Sequence, residues 1–265
     1  MREDLTTPPA EPSDPIALAR RDMQKPLPQR FYKEVGIAPS GTGFALVLDG
    51  RVAKTPAKSE LVLPSAALAE AVAGEWRAQG DKIDFATMPL TRLAFTAIDG
   101  VAHQMDAVID EIAKYAETDL VCYRAAEPAS LAEAQAAAWD PVLDFAAAQL
   151  GARFFCAEGV VFVAQPPEAR AAVRARIAEI AAGPAAPFLL ASLSVMTALA
   201  GSILIALALA EGSHSLDQAW AAAHVDEDFQ VRQWGTDSEA TARRSRRFAD
   251  MAAAETVWKL SQAPH

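Results

Sequence analysis

The sequence predicts an α+β chain: a small N-terminal antiparallel β-rich domain with one covering helix, followed by a larger all-α bundle. Three observations carry this. Short bulky runs broken by turn residues fill the region after residue 30. Helical periodicity then dominates to the C-terminus, and alanine, a strong helix former, dominates a hydrophobic content of 52%. At 265 residues the chain is long for one core, so two domains are expected, 30–99 and 100–265.

Ahead of them, residues 1–29 hold six prolines, both signs of charge and few large apolar side chains. Such a stretch buries too little surface to offset its ordering entropy and reads as a disordered tail. It has no apolar core of a secretory signal, and Glu3, Asp4, Glu11 and Asp14 do not suit a mitochondrial transit peptide. From Arg30, FYKEVGI, GFALVLDG, RVAKTP and ELVLPS read as strands of a meander, with Asp49-Gly50 as the strongest hairpin signal. Ser65 caps a helix whose Leu68, Val72 and Trp76 recur every four residues and which Gly80 ends. KIDFATMPLTRLAFTAIDG adds one or two extended pieces before the boundary near Asp99-Gly100.

Beyond it, Val101, Met105, Val108, Ile109, Ile112 and Tyr115 share a helical face. A helix from Ser130 meets Asp140-Pro141, where Asp140 reads as an N-cap and Pro141 as the first residue of a new helix, since an interior proline costs about 3 kcal/mol. RFFCAEGVVFVA, 153–164, reads as a hairpin, and a helix with Val173, Ile177 and Ile180 stops at Gly183-Pro184. Residues 188–210 then form a long uncharged run. It is long enough to span a bilayer, but it lacks flanking basic residues and an aromatic belt, and Gly201-Ser202 interrupts it. Two helices buried in a bundle satisfy the same residues, and no membrane insertion is expected. After Gly212, Trp220, His224, Glu227, Val231 and Trp234 form one stripe, and a last helix over about 238–260 turns Phe248, Met251 and Trp258 inward.

The net charge of −10 and a pI near 4.9 argue against nucleic acid, whose binding is driven by lysine and arginine. Cys122 and Cys156 have no metal or disulfide spacing and read as small buried hydrophobes. PSGTGFA lacks the lysine of a P-loop, GxSxG and HExxH are absent, and His103, His214, His224 and His265 are scattered. No catalytic residue, cofactor or metal is expected. Asp226 and Asp228 read as a solvated helix face, and Arg243, Arg244, Arg246 and Arg247 as an exposed face balancing nearby acids. Glu227 sits on the apolar stripe and must be paired, either with His224 or an arginine, or with a partner protein.

In order along the chain come RFYKEVGI, LDGRVAKTP, ELVLPS, EWRAQG, MPLTRLAFTAID, YAETDLVCYRA, the Q and WDP of QAAAWDPVLDF, GSILIALALAEG and DEDFQVRQWG. This series resembles the ATP synthase assembly chaperones of the ATP-twelve type, also called ATP synthase assembly factor 2, over about residues 30–258. The resemblance implies a non-enzymatic chaperone that holds the alpha subunit of the catalytic head, shields the surface later covered by the beta subunit, and is then displaced. It also implies a strand-rich N-terminal domain before an α-helical one. Acidic positions of interest in that family map to Glu227 and to Asp237 or Glu239, with Asp226, Gln230 and Trp234 as neighbours in a partner-binding surface. A monomer in the bacterial cytoplasm is expected, and the alternative is a small-molecule enzyme using a cleft between the two domains, with Glu227 and His224 as acid and base.

Overall fold

The computed structural model describes residues 27–263 apart from Val160 and Thr236, so the expected tail lies outside the described residues as far as residue 26. Strands β1 (Val35–Ser40) and β2 (Gly43–Leu48) pair antiparallel, Val35 opposite Leu48. Strands β3 (Arg51–Val52) and β4 (Val62–Leu63) both pair with β2. Asp49 and Gly50 make the β2–β3 turn with φ of 46° and 78°, the left-handed pair that matches strand twist. Ahead of β1, Arg30 donates its backbone amide to the Asp81 carbonyl, and Pro28 accepts from the Ile83 amide.

Helix α1 (Ala66–Arg77) covers the sheet with Leu68, Val72 and Trp76. It stops three residues before Gly80. Ser65 Oγ accepts from the Leu68 amide at 3.1 Å and donates to the Leu260 carbonyl at 2.6 Å, tying the strand-rich part to the end of the chain.

The segment expected to be extended, residues 82–100, is instead a 3₁₀ turn followed by helix α2 (Pro89–Asp99). The reason is a cap supplied from elsewhere. The Glu75 carboxylate of α1 accepts from the Leu90 amide at 2.7 Å, the Thr91 amide at 2.8 Å and the Thr91 hydroxyl at 2.6 Å. Pro89, with no N–H, takes the first turn at no cost. These bonds and the burial of Leu93, Ala94 and Ala97 outweigh the β preference of Phe95 and Thr96.

Helix α3 (Met105–Ala113) buries Ile109 and Ile112. Helix α4 runs unbroken over Ala129–Gln149 with Pro141 inside, correcting the expected break. Pro141 leaves a carbonyl one turn back without its N–H, but Trp139, Val142 and Phe145 are all buried, each worth about 1.5–3 kcal/mol. Asp140 does not cap; it pairs with Arg124 at 2.9 Å.

The hairpin expected over 153–164 is absent among the described residues. Instead β6 (Ala157–Glu158) pairs in parallel with β5 (Tyr123–Arg124). The returning chain is held by a side chain: Gln165 accepts from the Phe155 amide and donates to the Phe155 carbonyl, both at 2.9 Å. A glutamine amide thus takes the place of a second strand. Cys122 is buried as expected, whereas Cys156 is exposed because it precedes this two-residue strand at the surface.

Helix α5 (Pro167–Ile180) leads to the apolar run, which forms α6 (Ala186–Ala200) and α7 (Ile203–Ala210). Between them Gly201 adopts φ 66°, and Ser202 Oγ accepts from the Ile205 amide at 3.0 Å. Residues 203–209 are all buried. No helix among the described residues is long and apolar enough to cross a membrane. Helices α8 (Leu216–Ala223), α9 (Val225–Trp234) and α10 (Ser238–Ser261) complete the bundle, and α10 packs along α6. One continuous core runs from Tyr32 to Trp258.

Asp119, wholly buried, supports the start of α7 by accepting from the Leu204 amide at 3.2 Å and the Val121 amide at 3.3 Å. Burial outweighs these bonds and the Ser202 hydroxyl, and pushes its pKa up from 3.8 to about 6.

Two predictions follow from the α6–α7 break. A folded-state pKa above the unfolded one favours folding at low pH. The contribution of Asp119 is therefore full below about pH 4 and is lost as pH rises through about 6, worth about 3 kcal/mol in all. Urea unfolding at pH 4 to 7 should show wild type losing that much relative to Asp119→Asn, which cannot ionise; parallel pH profiles would contradict it. Gly201→Ala, placed at positive φ, should lower the unfolding free energy by about 1–2 kcal/mol in the same assay.

Candidate functional site

Helix α8 opens on a capping box, with Ser215 and Gln218 each bonding the other's backbone amide, and it stops at His224. At the stop the His224 ring takes the Trp220 carbonyl, and the His224 amide donates to the Ala221 carbonyl instead. The His224 and Trp220 ring centroids lie 3.8 Å apart, and His224 Nδ1 is 2.8 Å from the Trp220 carbonyl. A carbonyl only accepts, so Nδ1 carries the proton, and in the neutral ring the lone pair lies on Nε2. Burial, the largest influence, holds the His224 pKa below the ordinary histidine value.

The stripe expected through Glu227, Val231 and Trp234 ends at His224, where α8 stops before α9 begins at Val225. Trp220 and His224 are buried, but the Glu227 side chain is 46% exposed and Trp234 is 86% exposed. Glu227 Oε2 lies 3.9 Å from His224 Nε2, beyond hydrogen-bond reach.

Its two acidic neighbours, expected to be solvated, are the engaged ones. Asp226 accepts from Gln135 Nε2 at 2.7 Å, and the carbonyl oxygen of that buried glutamine accepts from the Ala125 amide at 2.7 Å. Asp228 pairs with Arg244, whose guanidinium also lies over the Trp220 ring. The arginine cluster divides in the same way. Arg243 and Arg246 are exposed, while Arg247 donates to the Leu199 carbonyl at 3.1 Å. Helical geometry explains the split, since residues 244 and 247 face α6 and α8 while 243 and 246 point away.

Asp226 and Glu227 come together with His224, Arg247 and the C-terminal end of α6, Ala198–Gly201, around a cavity of about 300 Å³. The other residues singled out from the sequence do not line it. Gln230 and Trp234 lie farther along α9, exposed. Asp237 caps α10, accepting from the Glu239 amide at 3.2 Å, and Glu239 is exposed in that first turn.

Sequence reasoning read Arg247 only as part of an exposed basic face and assigned no role to Gln135 or the α6 terminus. Gln135 and Trp139 did stand in the ordered motif series, and their work is now visible: one joins residue 125 to Asp226, and Trp139 Nε1 donates to the Ala222 carbonyl at 2.7 Å.

Comparison with known proteins agrees with this architecture. The sequence profile of the ATP12 chaperone protein family matches residues 29–147. The crystal structure of Atp12 from Paracoccus denitrificans is 41% identical and superposes with a TM-score of 0.83, covering 89% of this chain and 99% of that one. The chain belongs to the ATP12 chaperone family. A mutant of P. denitrificans Atp12p is similar at 40% identity and TM-score 0.83, covering 89% and 98% of the two chains. The Atu1473 protein of Agrobacterium tumefaciens, described as a candidate chaperone, is 47% identical with a TM-score of 0.85, covering 94% and 92%. The fold expected from sequence, a small antiparallel region before a larger helical one, is thus the ATP12 fold.

The site separates residues that hold this ATP12 fold from one that does not. Gln135→Leu strands the Ala125 amide and Asp226 in a largely dry setting and should cost about 1–3 kcal/mol of unfolding free energy. Glu227→Gln should stay within about 0.5 kcal/mol of wild type. Equal losses in urea melts would refute the distinction.

Proposed function

We propose that this ATP12-family chain is an assembly chaperone for the ATP synthase. It binds the unassembled alpha subunit of the catalytic head, shields the surface that the beta subunit later covers, and prevents aggregation until the ring closes. It works as a monomer in the bacterial cytoplasm, needs no cofactor and does no chemistry on its client. The observation that carries this reading is likeness to ATP12 proteins over nearly the whole length of both chains.

The client-binding surface is α9 and the start of α10, with Glu227, Asp226, Gln230, Trp234, Asp237 and Glu239. Support comes from the chemistry of that strip. Trp234 is a large aromatic almost wholly in water, a costly arrangement for a monomer and a frequent energetic anchor of interfaces. Glu227, Gln230 and Glu239 are exposed around it, as the polar rim of a releasable interface requires. A specific interface of about 1,600 Å² leaves affinity to a few such groups, so exchange for the beta subunit stays accessible.

Pull-down with newly made alpha and beta subunits, separately and together, tests the proposal. Capture of alpha alone, abolished by beta, is the expected result. Glu227→Lys should weaken alpha capture by about tenfold or more with unchanged far-ultraviolet circular dichroism, because it reverses a charge on the contact strip. Unaltered capture by the folded variant would remove Glu227 from the surface.

A further inference from the structure

The cavity between α6, α9 and α10 brings two hydrogen-bond acceptors together with no protein donor between them among the described residues. His224 has 4% of its side chain exposed, and its Nδ1 proton is committed to the Trp220 carbonyl. His224 lines the cavity, and its Nε2, the lone-pair nitrogen of the neutral ring, has no hydrogen bond among the described residues. The group it faces is the Glu227 carboxylate, 3.9 Å away, also an acceptor. Two acceptors at that distance do not bond each other, but one donor nitrogen sits comfortably about 2.8 Å from both.

The electrostatics select the kind of donor. Asp226 and Glu227 bring two carboxylates to the lining, and Arg247 brings one guanidinium, already used on the Leu199 carbonyl. Arg244, the other nearby cation, is neutralised by Asp228. The lining also includes the C-terminal end of the 15-residue helix α6, which carries a partial negative charge. The balance is negative, and a volume of about 300 Å³ admits a long side chain.

We infer that this cavity receives a basic side chain, arginine or lysine, of the client protein, which bridges Glu227 and His224 Nε2 and lies against the end of α6. This rests on the client-binding reading and gives Glu227 a specific job. The carboxylate is a socket wall, and its half exposure is the open mouth. A histidine held in one tautomer supplies a fixed acceptor that needs no reorganisation when the cation arrives.

The test uses the full chain with ¹⁵N-labelled histidine, titrated with N-acetyl-arginine amide, N-acetyl-lysine amide and, as an uncharged control, N-acetyl-glutamine amide. A saturable displacement of the His224 Nε2 resonance by the arginine or lysine compound, absent with the control and absent in Glu227→Gln, supports the socket; the compound with the lower midpoint names the side chain. No displacement, or equal displacement in Glu227→Gln, overturns it.

Binding of purified alpha subunit forms a separate arm. Glu227→Gln should weaken it about tenfold. Alpha binding equal in wild type and Glu227→Gln would sink the socket and leave the chaperone reading standing. Absence of alpha binding by wild type would sink the chaperone reading, while the amide titrations still decide whether the cavity takes a cation.

Discussion

The structure depends on hiding the uncharged run from residue 188 to 210, and on doing so by folding it. A straight helix of that length would run about 35 Å. The bend at Gly201 sets α6 against α10 and lets α7 be enclosed completely. It also creates a problem, since the amides at the start of α7 emerge in the deepest part of the core. Ser202 and Asp119 answer it with side-chain oxygens, and Asp119 carries a raised pKa as the physical cost of placing a carboxylate there.

The same bend has a second outcome at the surface. By ending α6 at Ala200 it turns Ala198–Gly201 outward as a wall, against which α9 and α10 place His224, Glu227 and Arg247. Core and cavity therefore share one structural decision. Around the cavity, charges that serve the fold have protein partners: Asp226 has Gln135, Asp228 has Arg244, and Arg247 has a backbone carbonyl. Beside them, the Glu227 carboxylate and His224 Nε2 have no hydrogen-bond partner among the described residues, which a purely structural site would not require.

Ionisable groups in the chain thus fall into two kinds. Glu75 and Asp119 spend their oxygens on helix amides made far away in sequence, α2 and α7, and act as internal caps. Glu227, Gln230 and Glu239 face water on the strip we propose as the client-binding surface, which a chaperone must release as well as bind. Moderate polar contact around one exposed tryptophan is consistent with that requirement.

By itself the sequence determined what depends on local chemistry. The Asp49-Gly50 turn, the Ser65 and Ser202 caps, the break at Gly201 and the burial of Met251 and Trp258 follow from backbone preference and periodicity within a few residues. The family was legible as well, because it lies in the order of short motifs. Tertiary structure alone decided the rest. Helix α2 exists where extended chain was expected because Glu75 caps it from another helix. Helix α4 passes through Pro141 because buried Trp139 and Val142 outweigh one lost bond. A hairpin is replaced by a Gln165 clasp, and Glu227 rather than its neighbours is left unpaired because Gln135 and Arg244, 91 and 16 residues from their acidic partners, reach those first. Each of these turns on a partner distant in sequence, and one-dimensional periodicity carries no record of such partners.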